Sequence, residues 1–157
     1  MQKVLILLAS HEDESLTAEG QKLLRDFRLS YQLRVSSAQV SPDFVREIIA
    51  SFHKDGGQVI ICVAAPQDQL ASLASASSSL PVLNVLVSSH PVSLMTGAAP
   101  VATMGQGAEG FTRAALFVLQ MLALQDAELS QNVQRHRHSL AARVIAADHK
   151  HRVIFDV

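Results

Sequence analysis

The sequence lacks several features that mark specialised classes of protein. It has one cysteine in 157 residues, so no internal disulfide can form. That residue, Cys62, lies in the apolar run QVIICVAA and reads as a small buried hydrophobe in a reducing compartment. Charge of one sign is also missing: 13 basic against 14 acidic side chains leave a formal net charge of -1. This balance excludes the basic footprint expected for nucleic acid or an anionic membrane surface. The opening MQKVLILLAS imitates a signal peptide, but its apolar run falls far short of the roughly 20 residues of a membrane span. Acidic, helix-forming sequence follows it in place of a cleavage site, so it reads as a first buried strand, and the expectation is a cytoplasmic protein. No linker-like stretch interrupts the chain, and its length suits one domain over 1–157, since domains most often hold about 100–150 residues.

What the chain does contain is an alternation of short aliphatic runs with helical stretches. Val4 to Ala9 is a continuous aliphatic run, the pattern of a strand covered on both faces, and Leu16, Leu23, Leu24 and Phe27 follow at helical spacing. Tyr31 to Val35 predicts a second strand. Ser41 as cap and Pro42 in the first turn predict a helix to about Lys54, ended by Gly56-Gly57. The β-branched run QVIICVA predicts a third strand, residues 66–78 a small-residue helix, and PVLNVLV and PVATM the fourth and fifth strands around a loop at 88–98. Five strands with helical crossovers imply a three-layer α/β/α sandwich around a parallel sheet, in the flavodoxin-like order, with ligands gathered at the strand carboxyl ends. The run AALFVLQMLAL at 114–124 is apolar almost all round, so one face against a sheet cannot use all of it. A C-terminal helix near 126–146 covers part of it, and a subunit interface is the more economical cover for the rest.

Four stretches fall together at these strand ends: ASHED at 9–13, SSAQVSP at 36–42, AAPQDQLASL at 64–73 and GAEG at 107–110. With LPV at 80–82, PVAT at 100–103 and LQMLAL at 119–124, their order and spacing resemble the PurE family over about residues 3–140, leaving 141–157 as an extension. The resemblance implies a homo-octamer that interconverts carboxylated aminoimidazole ribonucleotides in purine biosynthesis without metal or cofactor. It also implies ligand contacts from Ser10 and Asp13 on the first loop, Ser37, Ala38 and Gln39 on the second, and Gln69 and Leu70 on the third.

The departures from the family pattern fall on the chemistry. The first loop carries Ala9 for the family's glycine and Glu12 for its second serine, and the third carries Gln69 for a histidine and Ala71 and Ser72 for a proline and glycine. In the second loop the catalytic histidine is replaced by Gln39 and the phosphate-binding arginine by Val40, and the loop at 88–98 is several residues shorter than usual. A carboxamide has no accessible protonation change, whereas an imidazole titrates near pH 6.5, so Gln39 can hold a ligand but cannot shuttle a proton. An isopropyl group gives phosphate none of the hydrogen bonds of an arginine fork. The expectation is therefore a divergent, mutase-incompetent homologue that binds a nucleotide-like or other small anionic ligand. Two alternatives stand beside it: an active enzyme with a relocated proton carrier, His11 or His90, and a structural or regulatory subunit.

His11 and His90 otherwise read as solvated loop residues. The pairs His136/His138 and His149/His151 read as solvated positions on a helix and a tail, because residues two apart on a helix point away from each other. Arg113 reads either as an ordinary charge in the first turn of the apolar helix or as a replacement phosphate contact. The final HRVIFDV reads as a short strand, an arm on a neighbouring subunit, or a tail.

Overall fold

The computed structural model describes residues 2–88 and 100–153. Five parallel strands, β1 (Val4–Leu8), β2 (Tyr31–Val35), β3 (Val59–Ala64), β4 (Val82–Leu86) and β5 (Ala102–Gln106), form one sheet in the order β2-β1-β3-β4-β5. The helices are α1 (Ala18–Asp26), α2 (Pro42–Lys54), α3 (Leu70–Ser77), α4 (Gly107–Ala123) and α5 (Ala127–His151). The parallel, flavodoxin-like sheet is the architecture the alternating pattern implies. Contacts divide the chain into two compact units, Met1–Val118 and Leu119–Val157, with α4 beginning in the first and ending in the second.

The central strands β1, β3 and β4 are buried along their whole length, which is why they read as unbroken aliphatic runs. In parallel register Leu5, Ile60 and Val82 are neighbours, as are Leu7 and Cys62. These residues pack with Val45, Ile49 and Phe52 of α2 and Leu70, Ala71 and Ala74 of α3 on one face. Residues of opposite parity, among them Leu8, Val63 and Val85, point to the other face. There a Cβ at Gly110 of α4 would crowd Val85, and one at Gly20 of α1 would collide with the Phe111 ring, so glycine at position 20 is what lets α1 and α4 meet this closely.

Several element boundaries differ from the sequence expectation. Residues His11–Thr17 form a 3-10 helix that leads directly into α1, so the first loop is only two residues long. The helix expected over 66–78 is broken: Pro66–Asp68 is a 3-10 turn, Gln69 takes the left-handed conformation at φ 58°, and α3 begins at Leu70. The fifth strand starts two residues later than PVATM suggests, since Pro100 cannot donate to the ladder and a register irregularity lies between Asn84 and Leu86. Ser41 sits at the α2 N-cap position but makes no side-chain cap; its hydroxyl donates instead to the Ser37 carbonyl at 3.2 Å. In the second unit α5 runs on to His151, taking in residues expected in the tail, while most of HRVIFDV lies outside the described residues.

Candidate functional site

In a sheet ordered β2-β1-β3-β4-β5 the crossovers reverse direction between β1 and β3, and the crevice above their carboxyl ends is where such folds place ligands. Three connections meet this edge. Their starts are fixed by the sheet itself: the Ala9 N–H donates to the Val63 carbonyl and the Ser36 N–H to the Leu8 carbonyl, at 3.0 and 2.9 Å.

The first connection is short and self-contained. Ser10 caps the 3-10 helix, its Oγ accepting the Glu12 N–H at 3.2 Å, so its hydroxyl already has a local role. His11 is exposed at the first helical position, and Asp13 is half-buried two residues on. Desolvation raises the Asp13 carboxyl above its ordinary value, and the neighbouring Glu12 carboxylate raises it further. Among the described residues no hydrogen bond reaches the Asp13 carboxylate.

The second and third connections are joined to each other. Ser37 Oγ donates to Asp68 Oδ2, and the Ala38 N–H donates to Asp68 Oδ1 at 3.0 Å. The Ser37 hydroxyl oxygen in turn faces the N–H groups of Gln39 and Val40 at 3.2 and 3.3 Å. Gln39 Nε2 donates to the Gln67 carbonyl at 2.5 Å, closing a third link across the two loops. Ser36 and Ser41 share a hydroxyl–hydroxyl bond of 3.0 Å beneath. Asp68 is only 8% exposed, so these are bonds to a carboxylate largely removed from water, where they are strong and costly to leave unmade.

The expected ligand residues thus separate into three groups. Ser37, Ala38 and Gln39 are together, bound to the third loop. Gln69 is exposed in a strained left-handed backbone at the start of α3, a conformation that side chains other than glycine adopt only where the surroundings hold them there. Leu70 is 1% exposed and packs in the core cluster, so a ligand contact from it falls to the backbone. The apolar side chain of Val40 is 85% exposed. His90 and most of the loop at 88–98 lie outside the described residues. Arg113 pairs with Glu109 one turn back at 2.8 Å, which gives it a local role on the exposed surface.

Sequence reasoning missed Asp68. The segment AAPQDQLASL was read for its departures at Gln69, Ala71 and Ser72, and the one charged residue in it went unassigned. A carboxylate held between a buried strand and an apolar helix was the available signal. Cys62 lies in the field of Asp68, and burial first and that carboxylate second push its thiol far up, so it is no nucleophile at neutral pH. Among the described residues no group of three metal-ligating side chains occurs, and no helix is long and apolar enough to cross a membrane.

With this geometry in place, similarity to known proteins is informative. The family described as AIR carboxylase matches residues 3–143. The chain is 28% identical over 149 residues to the N5-carboxyaminoimidazole ribonucleotide mutase of Pyrococcus abyssi, covering 89% of this chain and 84% of the relative. It is likewise 28% identical over 149 residues to the enzyme of that name from Bacillus subtilis, covering 89% and 92%. PurE of Treponema denticola superposes with a TM-score of 0.84 over 98% of this chain and 100% of that one, at 18% identity, a likeness of fold.

Proposed function

The chain belongs to the AIR carboxylase family, the PurE family, and from that premise we propose that it is a divergent member without mutase activity that keeps the family cleft as a small-ligand site. The observation that supports this most directly is the state of Gln39. Where the resemblance implies the family's catalytic histidine stands an amide that cannot act as an acid or base near neutral pH, and its nitrogen is already bonded to the Gln67 carbonyl. Removal of a positioned acid or base lowers a rate by about 10²–10⁴. The exposed Val40 removes the phosphate fork as well. The polar groups offered to a ligand are those of Ser10 and Asp13 on the first connection and of Gln69 at the start of α3.

A second reading rests on His11, which is exposed at the carboxyl end of β1 and two residues from Asp13. In that reading His11, or His90, serves as the proton carrier of an active enzyme. The test is turnover of N5-carboxyaminoimidazole ribonucleotide by purified protein free of any homologue. The first reading expects only the uncatalysed rate, with a thermal shift on adding aminoimidazole ribonucleotide. Turnover lost in His11→Ala or His90→Ala establishes the second. Absence of both turnover and shift leaves a structural or regulatory subunit. For assembly we propose a homo-oligomer, an octamer by family likeness, in the cytoplasm. The exposed Leu124, Leu140, Val144 and Ile145 of the second unit support self-association, and light scattering measures it directly.

A further inference from the structure

We infer that Asp68 is a specificity-determining residue that closes the turn after β2 to phosphate and other anions. The turn has the donors an anion uses: a serine hydroxyl at 37 and a run of backbone N–H groups at 38, 39 and 40 ahead of α2. Every one of them is engaged within the protein. Asp68 takes the Ser37 hydroxyl on one oxygen and the Ala38 N–H on the other, while the N–H groups of Gln39 and Val40 point at the Ser37 oxygen. The carboxylate comes from a different loop, 30 residues away along the chain from Ala38, so the contact is built by the fold and is not a local turn habit.

An anion arriving at this turn must displace a carboxylate that is only 8% exposed, between β3 and α3, which pack in the core. If Asp68 stays, the anion lies within a few ångströms of a carboxylate that is itself largely removed from water, and the like charges repel. No arginine or lysine of the second or third connection offsets this, since residues 36–41 and 65–69 contain neither. The inference rests on reading the cleft as a ligand site, and it narrows that reading: the ligand's group beside Ala38 is uncharged or a donor, and not phosphate.

The experiment is a titration with inorganic phosphate at constant ionic strength, followed by the amide resonances of Ala38, Gln39 and Val40 in the wild type and in Asp68→Asn. Asp68→Asn keeps the size and one acceptor but removes the charge. The wild-type amides are expected to stay in place, and those of the variant to move saturably, with affinity higher by about tenfold or more. Asp68→Ser, smaller and also uncharged, is the second variant should the first fail to fold. Saturable movement in the wild type overturns the inference whatever the variants do. Movement in neither variant also overturns it, by showing Asp68 to be a structural tie alone. Because the probe is phosphate and no turnover is read, either outcome leaves the proposal about mutase activity to its own test.

Discussion

The connections after β1 and after β2 reach the same edge of the sheet and use their polar groups in opposite ways. After β1 the chain winds straight into a 3-10 helix, and its side-chain bonds are local: the Glu12 N–H to Ser10 Oγ, Thr17 Oγ1 to the Glu14 carbonyl and Gln21 Nε2 to Thr17 Oγ1 span two to four residues. After β2 the turn is bound to the loop after β3 by Ser37, Ala38 and Gln39, across 28 to 31 residues of sequence. The first connection leaves a half-buried carboxylate, Asp13, with its proton affinity raised. The second has its donors satisfied by a buried carboxylate of the protein's own. One connection is bonded only within itself, and the other is tied to a second loop. Gln39 and Val40, where the resemblance leads one to expect a histidine and an arginine, fall on the tied one.

Substitutions can break that contrast, and Asp68→Ala should have the largest effect. It strands the half-buried Ser37 hydroxyl and Ala38 N–H, at a cost of up to about 1–3 kcal/mol for each group left unpaired. At about 2–4 °C per kcal/mol for a chain of this size, calorimetry should show a clearly lowered Tm. Ser37→Ala should cost somewhat less, about 1–2 kcal/mol, because Asp68 keeps its bond from Ala38. Combined with Asp68→Ala in a denaturant-based double-mutant cycle, it should be non-additive by about 0.5–3 kcal/mol, as groups sharing one network are. Additivity would mean that the two loops are not tied.

Ser10→Ala tests the other side of the contrast. It removes a helix cap with no partner in another loop, and should lower stability by about 1 kcal/mol. The smallest effect is expected from Asp13→Asn. A carboxyl whose folded-state proton affinity exceeds its unfolded one opposes folding above its raised pKa, and this opposition disappears as pH falls below the ordinary carboxylate value. Asp13→Asn should therefore raise Tm slightly at neutral pH, by about 1 °C, and lose that gain on acidification; melting curves across the acid range would show it. A variant less stable at pH 7 would mean that the carboxylate has a favourable partner.

Much of the fold was legible because burial on both faces leaves a plain mark. Val4–Leu8 and Val59–Ala64 are aliphatic without interruption since every residue in them is covered. Of the two edge strands β2 lies where expected, Tyr31–Val35, while β5 is largely exposed, lacks that mark, and begins two residues later than PVATM suggests. The 3-10 helix at His11–Thr17 was missed because its acidic residues, HEDES, have no apolar periodicity to betray a helix. At the site, the absence of an imidazole at 39 and of a guanidinium at 40 could be read directly, because it is a matter of which groups are present. The tie through Asp68 could not, since a hydrogen bond to a residue 30 positions away follows from strand order and not from any local pattern. The exposure of Leu140, Val144 and Ile145 on α5 was likewise beyond reach of a periodicity that only marks those positions as apolar.

The most direct test of the tie is amide hydrogen exchange at Ala38 compared with His11. The Ala38 N–H is donated to a buried carboxylate from another loop, whereas His11 starts an exposed turn. The account predicts that Ala38 exchanges at least about a hundredfold more slowly than His11 in the wild type and loses that protection in Asp68→Ala. Equal, rapid exchange at both amides in the wild type would contradict it.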